Sequence, residues 1–309
     1  MTGGKALLVV GDVVTDIVAR HRAPLAPSTD TDAEIRRLPG GAGANVACWA
    51  AYAGLPDVRL LARVGAESAA WHGESLRSAG VHARLVVDDR TPTATVIALV
   101  DAAAERTFLT DSGAALRLSA DDWSNDLLDG VGHLHVSGYL FFAEVSRGAA
   151  LTAVAEARAR GIPVSVDPAS AGFLTDLGVH RFLAMTDGVD VLLPNADEAR
   201  LLTGLHEPAD AAAKLSLHTP LAAVTLGGRG ALLAESGAVT ARIPPVEAPA
   251  VDSTGAGDAF TGGFLAARLA GCDAAAAAEA GCRAGAQAVG APGGRPPTAG
   301  TQAAAGRSL

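Results

Sequence analysis

The chain has 309 residues, enough for one large α/β domain or two small ones. Its composition, 49% hydrophobic and 18% charged, excludes a disordered or low-complexity chain. A formal net charge of -9 argues against nucleic acid or an anionic membrane as the main partner. An anionic ligand therefore needs a local positive site, such as a helix N-terminus, an arginine or a metal. Three cysteines, Cys48, Cys272 and Cys282, without zinc spacing, fit a reducing compartment. Met1 to Val10 is too short for a secretory signal, and no apolar stretch reaches the roughly 18 residues of a membrane span. A cytoplasmic location is expected.

Ala6 to Val10 is a continuous apolar run, the pattern of a strand buried on both faces. It ends at Gly11-Asp12, with Asp16 shortly after. His21 to Pro39 is polar, interrupted by Pro24 and Pro27, and shows no clear core. Gly40-Gly41-Ala42-Gly43-Ala44-Asn45 then opens an apolar helix over Val46 to Tyr52. A strand over Arg59 to Val64 and a helix over Ser68 to Ser78 follow. Val81 to Val87, Thr93 to Val100 and Glu105 to Thr110 are short alternating β-branched runs, which predict a small sheet. With the segment before Gly40 this sheet forms a lid, from residues 14–39 and 82–112. Arg106 lies in it, either closing over a substrate anion or standing as a solvated strand residue.

From His133 onward, strands alternate with helices. Strand-like runs are His133 to Val136, Pro163 to Val166, Val189 to Leu193 and Ala222 to Leu226. Helix-like runs are Val145 to Arg160, Leu177 to Met185, Asp197 to Leu202 and Ala209 to Leu217. Such alternation implies a mainly parallel sheet covered on both faces. A hairpin around Ser236-Gly237 and a last helix over Ala274 to Val289 complete a single domain over 1–300, with 301–309 as a tail. His133 and His135 share one strand face, but no third metal ligand lies near in sequence.

The most informative stretch is Asp252-Ser253-Thr254-Gly255-Ala256-Gly257-Asp258-Ala259-Phe260. A small-residue loop opens an apolar helix there. Helix N-termini carry partial positive charge and free N–H groups, which suit a phosphate or oxyanion. A carboxylate beside an anion site is costly unless it has a task, such as taking a proton from an attacking hydroxyl. The plainer reading is a helix start capped by Ser253 or Thr254, with Asp258 favouring the dipole. Ligands of open α/β sheets bind off the carboxyl ends of strands. Asp12, Asp16, Asp167, Asn195, Glu198 and the loop from Thr225 to Gly230 all follow predicted strands. No Walker-type loop is present. The Gly40 loop lacks the preceding buried strand that a dinucleotide fingerprint needs, which counts against an oxidoreductase.

Gly40-Gly41 with Asn45, Asn195 with Glu198, Thr225-Leu226-Gly227 with Gly230, and the Asp252–Phe260 stretch occur in an order that resembles the ribokinase-like (PfkB) carbohydrate kinases. The resemblance spans essentially the whole chain. It implies a ribokinase-like three-layer α/β sandwich with a mainly parallel central sheet and a small β-sheet lid. It also implies transfer of the γ-phosphate of ATP, with Mg2+, to a hydroxyl of a small molecule. Carried over, Asp258 is the general base, and Gly255, Ala256 and Gly257 form the anion hole. Asp12, Asp16, Gly40, Gly41, Asn45 and Tyr139 contact the acceptor. Asn195, Thr225, Gly227, Gly230 and Cys282 line the nucleotide. Glu198 and Asn195 organise Mg2+ through waters, although Asn195-Ala196-Asp197-Glu198 also reads as a helix cap with an acidic first turn. Asp252 with the segment from Val289 to Pro297 resembles a monovalent-cation site, which would hold K+, though the Ala291-Pro292-Gly293-Gly294 loop departs from the common pattern.

Two departures weaken ribose as acceptor: Val14 where ribokinases carry Asn, and Val136-Ser137-Gly138-Tyr139 where they place a Glu. The expected acceptor is an unphosphorylated sugar, ribose- or fructose-like or a keto-deoxy sugar acid. A pseudouridine- or adenosine-like nucleoside is the alternative, with an apolar wall from Val96, Ala98, Phe108 and Tyr139. A ligand-binding relative that has lost catalysis is a third reading. A homodimer formed through the lid is expected.

Overall fold

In the computed structural model, which describes residues 5–103 and 105–297, the apolar run Ala6–Val10 becomes β1, buried at every position. The first half of the chain continues with β2 (Val14–His21), β3 (Ala33–Gly40), α1 (Ala42–Tyr52), β4 (Val58–Gly65), α2 (Ala69–Ser78), β5 (Val81–Asp88), β6 (Ala94–Val100) and β7 (Arg106–Asp111). After short 3-10 turns come β8 (Val131–Ser137), α3 (Glu144–Ala159), β9 (Val164–Asp167), α4 (Ala171–Leu177), α5 (Val179–Met185) and β10 (Val191–Leu192). The chain ends with α6 (Ala196–Thr203), α7 (Pro208–Leu215), β11 (Leu221–Thr225), β12 (Ala231–Glu235), β13 (Ala238–Ile243), α8 (Ala256–Leu269) and α9 (Ala274–Val289). No helix among the described residues is long and apolar enough to cross a membrane.

The large sheet has nine strands in the order β13-β12-β11-β10-β9-β8-β1-β4-β5. Pairing is parallel from β11 to β5 and antiparallel only in the β11-β12-β13 edge. β1 explains why an all-apolar run was needed. Leu8 and Val10 point into one core with Leu134, Val136, Phe141 and Phe182. Leu7 and Val9 point into the other with Val46, Leu60, Phe260 and Phe264. Strand order turns around between β1 and β8, from which the chain builds outward in both directions. That is where open α/β sheets form a ligand crevice.

A second sheet, β3-β2-β6-β7, has four strands and stands apart from the first. It corrects the expected lid in one place. Val81–Asp88 is not part of it, because β5 pairs in parallel with β4 along its length. Its alternation reflects an outer strand with one face in solvent, which sequence cannot distinguish from membership of a small sheet. The polar stretch before Gly40, expected in the lid, does join it as β3, which is mostly solvent-facing and pairs with β2. Farther on, the helix expected over Leu177 to Met185 is α5, and a helix not expected, α4, precedes it, parted from it at Gly178, whose φ of 90° is open to glycine. The expected tail at 301–309 lies outside the described residues.

α8 packs against α1 and α9 through its own glycines. A Cβ on Gly262 would lie 2.6 Å from the Val46 carbonyl oxygen and 2.7 Å from Trp49 Cβ. Gly262→Ala is therefore expected to cost about 1–3 kcal/mol by overpacking. It should lower the urea midpoint without changing the slope. Gly148→Ala in α3, where a Cβ meets nothing within 4 Å, should instead raise stability by about 0.5–1 kcal/mol.

Candidate active site

A cavity of about 300 Å3 opens at the carboxyl ends of the large sheet, beneath the lid. Val14 and Asp16 of β2, Ala94 and Val96 of β6, and Thr110 and Asp111 of β7 form its lid side. Asp12, Gly41, Asn45, Tyr139, Asp167, Asn195, Glu198, Thr225, Gly255, Gly257 and Asp258 form the body side. Its ionisable side chains are acids and Tyr139; no Lys, Arg or His lines it among the described residues. The Arg106 side chain lies outside the described residues.

Asp12 follows β1 and is 4% exposed. Its carboxylate accepts the N–H of Ala42 at 2.8 Å and of Gly43 at 3.1 Å, and the Ser137 hydroxyl donates to it at 3.0 Å. Asp12 thus caps α1 from a distance. The cap works because Gly41 sits at φ 98°, where a Cβ would run into the Asp12 carbonyl oxygen at 2.6 Å. Burial pushes its carboxyl above the usual range, and these donors oppose the shift. Asp16 stands on the lid strand β2 with Gly40 against its carboxylate. Burial raises it to about 7, with the Arg295 charge opposing. Gly40 itself packs beneath the cavity rather than lining it.

At α8 the chain turns at Gly255, φ 73°, where a Cβ would lie 2.5 Å from Gly294 Cα. Among the described residues, no side chain caps this helix. The Ala256 N–H turns back to the Ser253 carbonyl at 3.3 Å, so of the expected anion hole Gly255 and Gly257 face the cavity and Ala256 does not. Asp258 Oδ2 accepts the Asn45 side-chain N–H at 2.8 Å. Burial holds the Asp258 carboxyl well above the usual range. Asn45 opposes that, and the charges of Asp167, Asp12 and Asp16 add to it. Asn45, expected against the acceptor, is 4% exposed, lines the cavity and donates directly to Asp258.

Asn195 is the cap of α6. Its Oδ1 accepts the N–H groups of Asp197 and Glu198 at 2.9 Å, and Glu198 accepts the Asn195 N–H at 2.9 Å. Burial, with the charge of Asp167 nearby, lifts Glu198 to about 7. Asp167 is tied at 3.0 Å to His135 Nε2, which carries the proton because the carboxylate only accepts. Ser165 joins His135 to His133 at 2.9 Å on either side. The two histidines therefore orient Asp167 rather than hold a metal. Thr225 reaches the cavity, while Gly227 and Gly230 follow it in a turn outside the lining; Gly230 lies against β13 with no room for a side chain. Cys282, half-buried on α9, packs on the core behind α8 and does not line the cavity. Asp252 accepts the N–H of Thr254 at 2.8 Å and of Gly293 at 3.1 Å, joining the loop before α8 to the C-terminal loop.

Two contributors were not picked out from sequence. Phe173 lines the cavity beside Tyr139, ring centroids 5.8 Å apart, and stacks on Phe142 at 5.1 Å. Its signal was an aromatic just past the strand end at Asp167. Arg295, a lone cation in a Gly/Pro loop, donates to Asn45 Oδ1 at 2.9 Å.

The family model described as "pfkB family carbohydrate kinase" matches residues 5–299. A fructokinase of Klebsiella pneumoniae is 31% identical over 281 residues, 84% of this chain and 82% of the relative. Among solved structures, adenosine kinase from Sinorhizobium meliloti superposes with a TM-score of 0.85 at 23% identity, covering 98% of this chain and 99% of that one. An E. coli protein described as a Ribokinase II, in complex with ATP and Mg2+, does so at 0.83 and 23%, covering 93% and 94%. With these matches and this arrangement of sheet, lid and cavity, the chain belongs to the pfkB family of carbohydrate kinases.

Proposed function

We propose that the protein transfers the γ-phosphoryl group of ATP to a hydroxyl of a small uncharged sugar, with Asp258 as general base. One observation carries this reading: Asp258 stands in the first turn of α8, a helix start with no side-chain cap, and its proton affinity is raised. The base takes the hydroxyl proton as that oxygen attacks phosphorus and ADP leaves. The N–H groups of Gly255 and Gly257 and the α8 dipole meet the charge on the transferring group, which positions it without covalent chemistry. Asp258 Oδ2 is engaged by Asn45, so Oδ1 is the atom left for the acceptor hydroxyl.

Asp16 is the acceptor anchor, because Asp12 already accepts two backbone N–H groups and a hydroxyl. The acidic lining disfavours an anionic acceptor, so a fructose- or ribose-like sugar is preferred over a sugar acid. The Tyr139–Phe173–Phe142 cluster supports a second reading, a nucleoside whose base lies on Phe173. The intact Asp258 loop argues against a non-catalytic relative.

The donor set fits Mg2+. Glu198 and Asn195 line the cavity, the Asn195 amide oxygen being taken by the first turn of α6. That suits an ion that keeps several waters. When bound, Mg2+ supplies neutralisation of the phosphate charge. K+ belongs to the same reading at Asp252. A homodimer through the lid fits the exposure of Ile35, Phe108 and Leu109, with a cytoplasmic location.

Asp258→Asn is expected to lower kcat by about 10²–10⁴-fold while ATP binding persists; near-normal turnover would remove Asp258 as the base. A base works deprotonated, so kcat should fall as pH drops through the raised Asp258 value, at a higher pH than an ordinary aspartate would give. An ATP-consumption screen should favour fructose or ribose over the matching sugar acids, and excess chelator should abolish turnover.

A further inference from the structure

We propose that Arg295 is a positioning residue for phosphoryl transfer: its guanidinium fixes which end of the Asn45 amide faces Asp258. The inference rests on the reading of Asp258 as the base. Arg295 Nε donates to Asn45 Oδ1 at 2.9 Å, and Asn45 Nδ2 donates to Asp258 Oδ2 at 2.8 Å. The two ends of an asparagine amide have nearly the same shape, so only their neighbours decide the orientation. A guanidinium can only donate, and an ionised carboxylate can only accept. One orientation satisfies both. The reverse sets N–H against N–H on one side and oxygen against oxygen on the other. Arg295 thereby presents a donor to the base through an intervening amide.

Arg295 is itself held. Its Nη1 donates to Cys48 Sγ at 3.1 Å, one turn along α1 from Asn45, and its Nη2 to the Gly40 carbonyl at 3.1 Å. The residues before it are fixed as well. Trp49 Nε1 donates to the Gly294 carbonyl at 2.9 Å, and Gly293 N–H donates to Asp252 at 3.1 Å. Gly294 lies so close to Asn45 Nδ2 that a Cβ there would displace it. Gly294 and Arg295 seat the loop against α1, and Gly293 ties it to the segment before α8.

The charges around the base all work the other way. Asp12 after β1, Asp16 on β2 and Asp167 at the end of β9 each raise its proton affinity, as burial does, and Tyr139 faces it from beyond β8. Asn45 is the opposing group. Around Arg295 stand Asp16 on β2, the buried Cys48 thiol on α1, and His72 on α2, lowered to about 4 by burial first and then by Arg295 and Arg37.

The test needs no acceptor. A 13C carboxyl NMR titration of the ligand-free protein, with Asp258 assigned through Asp258→Asn, follows the base directly. Arg295→Ala should move the Asp258 midpoint up by about one pH unit. Asn45→Ala should do the same, and the double variant should move it no further than either alone. Added guanidinium chloride, below denaturing levels, should draw the Arg295→Ala midpoint back. If Arg295→Ala does not fold, Arg295→Gln is read instead, since a glutamine amide can offer Asn45 either end. An unmoved midpoint in a folded variant, or additive shifts from Arg295 and Asn45, would overturn the proposal. Full turnover in Asp258→Asn would instead overturn the assignment of the base, leaving the titration to decide the role of Arg295.

Discussion

The start of α8 is the positive end of a cavity that is otherwise acidic, and the site is arranged around that asymmetry. Three helix starts face the same space. At α1 the N–H groups go to the Asp12 carboxylate. At α6 they go to Asn195. At α8, among the described residues, no side chain takes them. A polyphosphate among Asp16, Asp111, Asp167, Glu198 and Asp258 is tolerable only near the uncapped end, where helix dipole and free donors combine. Direction across the cavity follows. On the proposed reading, phosphates sit at α8, hydroxyls at Asp16 on the lid side, and Asp258 at the junction, where a proton must leave one for the other to arrive.

The turnaround in strand order is what brings these parts together. β1 and β8 are neighbours in the sheet, and their chains diverge at the carboxyl edge. Ser137 at the end of β8 therefore reaches Asp12 beyond β1, closing the crevice floor. Asp167 arrives one strand over, its carboxylate turned by His135. Each contact joins residues far apart in sequence, and each depends on both strands being pinned by a core on either face.

Local pattern revealed those parts of the fold that local pattern determines. β1, α1, α8 and α9 were legible because their apolar spacing and glycine or proline boundaries coincide with how they are buried. β5 was misplaced because alternation reports which face meets water, and an edge strand of the large sheet alternates like a lid strand. β3 was hidden because it has little core to betray it. In the site, Asp258, Gly255 and Asp12 were legible as residues at strand ends or helix starts. Asn45 was found, yet its contact with the base was not, since 213 positions separate the two. Cys282 and Gly230 were carried over by resemblance, but the packing shows a core position for one and a tight backbone passage for the other. Arg295 had no local pattern at all; its meaning lies in three acceptors contributed by other segments.

Those acceptors also connect the lid to the base. β3 ends at Gly40, whose carbonyl Arg295 holds, and the next residues lead through Gly41 into α1 and Asn45. Asp16, the anchor on the neighbouring lid strand, packs against that same glycine. A shift of β3 that carried Gly40 with it would pull on the guanidinium that orients Asn45. On the proposed reading, acceptor binding at Asp16 would be felt from the other side, because the Arg295 charge already opposes the raised proton affinity of Asp16. Gly40, Asp16 and, through Asn45, Asp258 thus share one cation, which stands behind the cavity wall rather than in it. On the proposed reading, that placement lets Arg295 act on Asp258 through Asn45 without offering a counterion to an anionic acceptor, which keeps the sugar side of the cavity acidic.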